Sequence, residues 1–79
     1  MERTEIINKL TPVFRSVFSN ETLEVTETLT ANDVANWDSL SHMLLITEVE
    51  NTFSIKFKLK ELNKMHNTGD MIDLIAGKL

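Results

Sequence analysis

The sequence contains no cysteine, so the chain has neither disulfide bonds nor thiolate ligands for a metal ion. That absence fits a reducing cytoplasm, which is where we expect the protein. No apolar run approaches the roughly 18 residues that a membrane span needs, and the first four residues are polar apart from Met1. We therefore expect a complete cytosolic chain with neither a signal peptide nor a transmembrane helix.

Basic residues are missing from the middle of the chain. Residues 19–52 carry seven acidic side chains and no Lys or Arg, whereas residues 53–66 carry four Lys and one Glu. The acidic block argues against nucleic acid as a partner and is compatible with a basic docking site on another protein. Taken alone, the charge pattern favours an ordinary solvated surface that has no binding role.

The size of the chain limits its architecture. With 79 residues it forms one domain, residues 1–79, with a modest core and little room for catalytic machinery. The hydrophobic fraction of 42% and the charged fraction of 25% are those of an ordinary soluble globular protein. We expect a monomer.

Helical periodicity is clear at both ends of the chain. Residues 3–18 predict an amphipathic helix that contains Pro12, where either the helix kinks or Thr11 caps a second segment. The apolar face continues in phase across the proline, which favours one kinked helix. A last helix is predicted to begin at Asn67 or Thr68. Its inward positions are Met71, Ile72, Ile75 and Leu79.

The segments between the helices are predicted from weaker signals. Residues 19–38 lack a sustained period and predict a long loop that apolar anchors hold to the core, with a short helical turn capped by Thr30. The alternation of Ile55, Phe57 and Leu59 predicts an extended connection that directs these side chains into the core. Leu59, Leu62 and Met65 then suggest a short helix. The predicted fold is all-α, a small four-helix bundle of three main helices and one short helix with a long first loop.

The stretch Trp37-Asp38-Ser39-Leu40 is the predicted start of a helix that runs to Phe53. Asp38 is expected to cap its first turn, and Ser39 then stands at the first helical position with its hydroxyl in solvent. A phosphate on Ser39 would be favoured there by the free N–H groups and the helix dipole. We expect Trp37 to be a half-buried packing residue rather than a binding aromatic.

The helix from Ser39 to Phe53 has two apolar faces. The first is predicted to pack against the core and contains His42, Leu45, Ile46, Val49 and Phe53. The other contains Leu40, Met43, Leu44 and the methyl group of Thr47, and Glu48 and Glu50 flank it. Because so small a domain covers only one of the two faces, the second is predicted to be available to a partner.

These residues together resemble the acyl carrier protein family. The resemblance rests on Asp38-Ser39-Leu40 at a helix start and on a Phe fourteen residues beyond the Ser. It is extended by Ile55-x-Phe57 and by Thr68-Gly69-Asp70-Met71, and it covers nearly the whole chain in length and order of elements. The tripeptide alone recurs by chance, but at this place in a chain of this size it is specific.

The resemblance implies that Ser39 carries a 4′-phosphopantetheine arm, which a separate magnesium-dependent phosphopantetheinyl transferase adds from coenzyme A. The thiol of the arm would hold an acyl group as a thioester for acyl-loading and acyl-transferring enzymes. Asp38 would contact the transferase as well as cap the helix. Leu40, Met43, Leu44, Glu48 and Glu50 form the expected partner surface.

Other functions remain open on the residues alone. A Ser in the first turn of a helix is usually a cap or a solvent contact. A hydrolase would need a base near Ser39, but His42 turns away from it by about 60° along the helix, and His66 is distant in sequence. Two histidines without a carboxylate pattern also make a poor metal site. The alternatives to an acyl carrier are an aminoacyl or peptidyl carrier and an unmodified helical interaction module.

The sequence departs from the better-known fatty-acid carriers after Ser39. Those carriers are typically acidic along this helix and beyond it, whereas Ser41, Leu44, Asn51 and Thr52 stand here at several of the acidic positions. The later segment is basic through Lys56, Lys58, Lys60 and Lys64. We therefore expect a specialised, stand-alone carrier that serves a dedicated biosynthetic pathway rather than the housekeeping fatty-acid enzymes.

Overall fold

The structure, a computed structural model, describes residues 1–79 and contains four helices and no strand. The helices are α1 (Arg3–Val17), α2 (Ser39–Phe53), α3 (Leu59–Leu62) and α4 (Thr68–Lys78). A single 3₁₀ turn, Ala31–Asp33, interrupts the long connection between α1 and α2. The predicted all-α arrangement of three main helices and one short helix is confirmed. None of the helices combines the length and the apolar character that a membrane crossing needs.

Helix α1 continues through Pro12 without a break. The hydroxyl of Thr11 donates a hydrogen bond to the carbonyl oxygen of Ile7 at 2.8 Å, one turn back in the same helix, so Thr11 does not cap a second segment. The prediction of one helix is therefore confirmed. Its apolar face is fully buried at Ile6, Leu10 and Phe14.

The long connection after α1 is held to the rest of the protein by its backbone as well as by apolar anchors. The carbonyl oxygen of Leu29 accepts hydrogen bonds from the N–H and the hydroxyl of Thr68, at 3.0 and 3.1 Å. The carbonyl oxygen of Glu27 accepts from the N–H of Gly69 at 2.8 Å. A Cβ at position 69 would lie 3.0 Å from that oxygen, so the close approach favours glycine there. These bonds satisfy loop polar groups that burial would otherwise leave unpaired.

The core lies between the three main helices, because α1 packs against both α2 and α4. Fourteen apolar side chains are buried in it, and the long connection between α1 and α2 contributes four of them, Phe18, Val25, Leu29 and Val34. The predicted anchoring of that connection is confirmed. The predicted turn is also present, with Thr30 as its N-cap.

Two residues predicted to face the core are exposed. Leu59 is 77% exposed, because α3 is only four residues long and turns Leu62 inward instead. Leu79 is 53% exposed because α4 ends at Lys78 and leaves it outside the helix. The remaining inward predictions for α4 are confirmed. Ile55 and Phe57 are half-buried against the core, as predicted for the extended connection.

Candidate functional site

The start of α2 is fixed by a reciprocal pair of hydrogen bonds between Asp38 and Ser41. Asp38 Oδ1 accepts from the Ser41 N–H at 2.9 Å, and Ser41 Oγ accepts from the Asp38 N–H at 2.8 Å. This capping box satisfies backbone donors that a helix start would otherwise leave free. The hydrogen bond from the Ser41 N–H holds the pKa of the Asp38 carboxyl below its ordinary value. The predicted cap at Asp38 is confirmed, and its carboxylate is ionised at neutral pH.

Ser39 and Ser41 are close neighbours, but their hydroxyls have different surroundings. Ser41 Oγ donates a hydrogen bond to the carbonyl oxygen of Asn36 at 2.7 Å in addition to its role in the capping box. Ser39 is the first residue of α2, and its side chain is exposed. The hydroxyl of Ser39 therefore stands at the positive end of the helix dipole and can be esterified without disturbing the cap.

Trp37, which precedes the cap, packs on the core. Its ring lies 5.7 Å from the ring of Phe14 and 5.2 Å from the ring of Phe18, measured between centroids. The predicted packing role is confirmed. The structure adds a hydrogen bond from Trp37 Nε1–H to His42 Nδ1 at 3.0 Å, with the two rings within 18° of parallel. This bond joins the loop before the cap to the second turn of α2.

His42 is not arranged as a base for Ser39. An activated nucleophile needs a base within hydrogen-bond reach that a third group orients. The hydrogen bond that His42 makes within the protein goes to Trp37 instead. The site thus contains an exposed serine without the geometry of a hydrolase.

Acidification should break the bond between Trp37 and His42. Burial lowers the pKa of His42 below its ordinary value of 6.5, so Nδ1 is free to accept at neutral pH. The stability that neutral His42 contributes is present above a pH of about 6.5, its unfolded value, and is lost as the pH falls through the lower pKa of the folded state. We expect the fluorescence of Trp37, the only tryptophan, to change in that acidic range.

The control for this titration is His42→Asn, which offers an acceptor but does not ionise near neutral pH. Its Trp37 fluorescence should stay constant through the same range. A transition that persists in the variant would assign the change to another group, such as the neighbouring carboxylate of Asp38.

An open cleft of about 520 Å³ lies beside Ser39 and brings several predicted residues together. Apart from Asp38, Ser39 and His42, its walls are apolar. The lining residues are Ala31, Trp37, Asp38, Ser39, His42, Met43 and Met65. A second depression, of about 640 Å³ at the C-terminal end of α1, is lined by polar residues and includes no candidate site residue.

The two apolar faces predicted for α2 are both present. Leu45, Ile46, Val49 and Phe53 are buried. On the other side Leu40 is 83% exposed, Met43 54% and Leu44 51%. The exposed face, Leu40, Met43 and Leu44, therefore begins directly after Ser39 and has no partner within the chain.

The two acids predicted to flank this exposed face differ from each other. Glu48 is exposed. Glu50 turns toward the connection after α2, where its carboxylate accepts a hydrogen bond from the Phe57 N–H at 2.8 Å and its side chain is only 17% exposed. Glu50 was predicted to flank the exposed face together with Glu48, but its carboxylate is engaged within the protein, where it holds the local chain in place.

The basic segment after α2 carries charge that the protein does not neutralise. Lys56, Lys58, Lys60 and Lys64 are all exposed, and we call them the lysine cluster. The nearby acid Glu61 pairs with Lys78 of α4 at 2.9 Å rather than with this cluster. Lys56 Nζ lies 4.0 Å from Glu50 Oε1, at the outer limit of an ion pair. The cluster therefore presents positive charge to solvent.

Known proteins that are similar to this chain are found among the solved structures. No family model matches the chain, and no curated protein matches it. Among solved structures, the solution NMR structure of a holo acyl carrier protein from Geobacter metallireducens is similar with a TM-score of 0.86 and 47% sequence identity. The similarity covers 91% of this chain and 83% of that one. Identity at this level over most of both chains reflects common descent and not only a shared arrangement of helices.

Proposed function

Because this chain belongs to the acyl carrier protein family, we propose that Ser39 carries a covalent 4′-phosphopantetheine arm and that the protein presents acyl groups on that arm to partner enzymes. The observation that carries the assignment is the exposed hydroxyl of Ser39 at the start of α2, next to Ser41, whose own hydroxyl is held by the cap. The protein is a carrier and not an enzyme.

The residues around Ser39 fit such an arm. Attachment forms a bond between Ser39 Oγ and phosphorus while a P–O bond within the diphosphate of coenzyme A breaks; the adenosine bisphosphate portion leaves, and the proton of the Ser39 hydroxyl is released. The positive end of α2 favours the phosphodiester charge that results. Asp38, ionised and exposed, is a contact for the magnesium-dependent phosphopantetheinyl transferase that would carry out this step.

Tethering explains why a domain without catalytic groups is useful. When bound, the arm supplies the terminal thiol that this cysteine-free chain lacks, and that thiol holds an acyl group as a thioester. A tethered acyl group meets a docked enzyme at a high effective concentration and does not diffuse away. The chain itself contributes a fixed attachment point and a surface that enzymes recognise.

The partner surface that we propose surrounds the attachment point. Leu40, Met43 and Leu44 supply exposed apolar contacts, and Glu48 supplies a negative charge beside them. Acyl-loading and acyl-transferring enzymes would dock here through an apolar recess with basic residues at its edge. Glu50 is left out of this surface, since its carboxylate is engaged within the protein.

The lysine cluster should select among partner enzymes. If it repels the basic docking sites of housekeeping fatty-acid enzymes, the double variant Lys56→Glu with Lys60→Glu should accept acyl groups from them several-fold faster than the wild type. Glu48→Lys should instead slow transfer to the cognate enzyme, and added salt should weaken that transfer in the wild type. The rates can be measured by mass spectrometry of the acylated protein.

Lys9→Glu, which reverses a charge on the exposed side of α1, is the matched control and should behave as the wild type. Circular dichroism will show whether each variant keeps its helices. A double variant that remains as poor a substrate as the wild type would exclude repulsion by the lysine cluster. The missing acids or the shape of the exposed face would then explain the partner choice.

The carrier assignment is tested by the intact mass of protein that has been co-expressed with an active transferase. We expect the mass of one arm, with an acyl group on a fraction of the molecules. Neutral hydroxylamine should remove the acyl group, because it cleaves thioesters, and should leave the arm in place. The released hydroxamate distinguishes a fatty acyl cargo from an aminoacyl one. A protein that never gains an arm would be an unmodified interaction module.

A further inference from the structure

The hydrogen bond between Trp37 and His42 determines which nitrogen of the imidazole carries the proton. An indole N–H can only donate, so His42 Nδ1, 3.0 Å away, must accept and has no proton of its own. Neutral histidine then holds its proton on Nε2. Burial keeps the ring neutral by lowering its pKa. His42 therefore presents a donor, Nε2–H, on the side of the ring away from Trp37.

That donor has no acceptor within the protein and is reached by solvent. The hydrogen bond of His42 within the chain uses Nδ1, and no buried side-chain nitrogen or oxygen lacks a partner. Nε2 is therefore not enclosed. Because His42 lines the cleft beside Ser39, the cleft combines one fixed donor with apolar contacts from Trp37, Met43 and Met65.

We infer that this cleft binds the inner part of the arm on Ser39, with the His42 Nε2–H donating to the first amide carbonyl and Met43 and Met65 covering the geminal methyl groups. This inference rests on the proposed function. Attachment and chemistry together point to this occupant. Ser39 itself lines the cleft, and the inner arm consists of a dimethylated carbon, a hydroxyl-bearing carbon and then an amide.

The dimensions agree with this occupant. His42 is three residues after Ser39 on α2, so it lies roughly 4.5 Å along the helix axis. The first amide carbonyl of the arm follows the phosphate by five single bonds. At the length per bond of an extended polypeptide backbone, these five bonds span about 6 Å. The carbonyl can therefore reach the imidazole without strain, while the outer arm and its thiol remain free to enter an enzyme.

Nuclear magnetic resonance of the apo and holo proteins tests the inference. In the holo protein we expect nuclear Overhauser contacts from the geminal methyl groups of the arm to the methyl groups of Met43 and Met65, together with a shift of the His42 Nε2 resonance relative to the apo protein. His42→Asn keeps an acceptor for Trp37 but lacks a group at the Nε2 position. It should lower the equilibrium constant for docking of the arm by about five-fold, the effect of one lost hydrogen bond.

His66→Asn is the matched control, because His66 is exposed and does not line the cleft. In this variant the nuclear Overhauser contacts between the arm and the two methionines should equal those of the wild type. Met65→Ser provides a second variant outside α2 if His42→Asn does not fold, and it should also weaken the contacts. Holo protein with unshifted Met43 and Met65 methyl groups would overturn the inference while leaving the carrier function intact. Failure of Ser39 to accept an arm, seen by mass, would overturn both.

Discussion

Ser39→Ala should accept no phosphopantetheine under conditions in which the wild type is fully modified. The variant lacks the oxygen that bonds to phosphorus, whereas alanine keeps the helix start folded because the cap belongs to Asp38 and Ser41. The measurement is intact mass after incubation with coenzyme A, magnesium and a broad-specificity transferase.

Ser41→Ala is the informative control for that experiment. It removes a hydroxyl two residues away and with it half of the capping box, so it should melt at a lower temperature yet still accept one arm. If Ser39→Ala gained an arm, the attachment site would lie elsewhere. If only Ser41→Ala lost it, the assignment of the two hydroxyls would be reversed.

Phe53→Ala should destabilise the fold by about 3–5 kcal/mol, because it leaves a large cavity between α2 and the core. A loss of this size is a large part of the roughly 5–15 kcal/mol by which a typical domain is stable, so we expect the variant to melt far below the wild type or not to fold. Thermal and urea melts followed by circular dichroism measure the effect.

Leu44→Ala removes a similar apolar side chain from the same helix, but from the face that is 51% exposed. Its cost should stay within about 0.5 kcal/mol, as for other surface substitutions. If Leu44→Ala proved as harmful as Phe53→Ala, the core face and the partner face of α2 would have been exchanged. The affinity for a partner enzyme should instead be lowered more by Leu44→Ala than by Phe53→Ala in folded protein, since Leu44 lies on the surface that we propose the enzyme binds.

Much of the fold follows from local signals in the sequence. The period of α2 and the cap at Asp38 predicted where the helix begins and which of its faces is buried, because both depend on residues within a few turns. The exposure of Leu59 was not predicted. An alternating pattern predicts which side chains face the core only while the chain stays extended, and here α3 begins at Leu59 itself.

The site was predicted in part. Ser39 and Asp38 were found from the helix start, and the Asp-x-x-Ser spacing could also have indicated the role of Ser41. The bond from Trp37 to His42 and the inward turn of Glu50 depend on how the loop and the connection fold against α2. Contacts of that kind arise from tertiary packing and leave no periodic trace in the sequence.

The most direct test of the account is to locate the arm in the modified wild-type protein. Fragmentation mass spectrometry of the peptide that spans the start of α2 distinguishes its two hydroxyls at Ser39 and Ser41. The account predicts one arm per chain, attached to Ser39. An arm on any other residue, or a wild-type chain that stays unmodified with several active transferases, would contradict it.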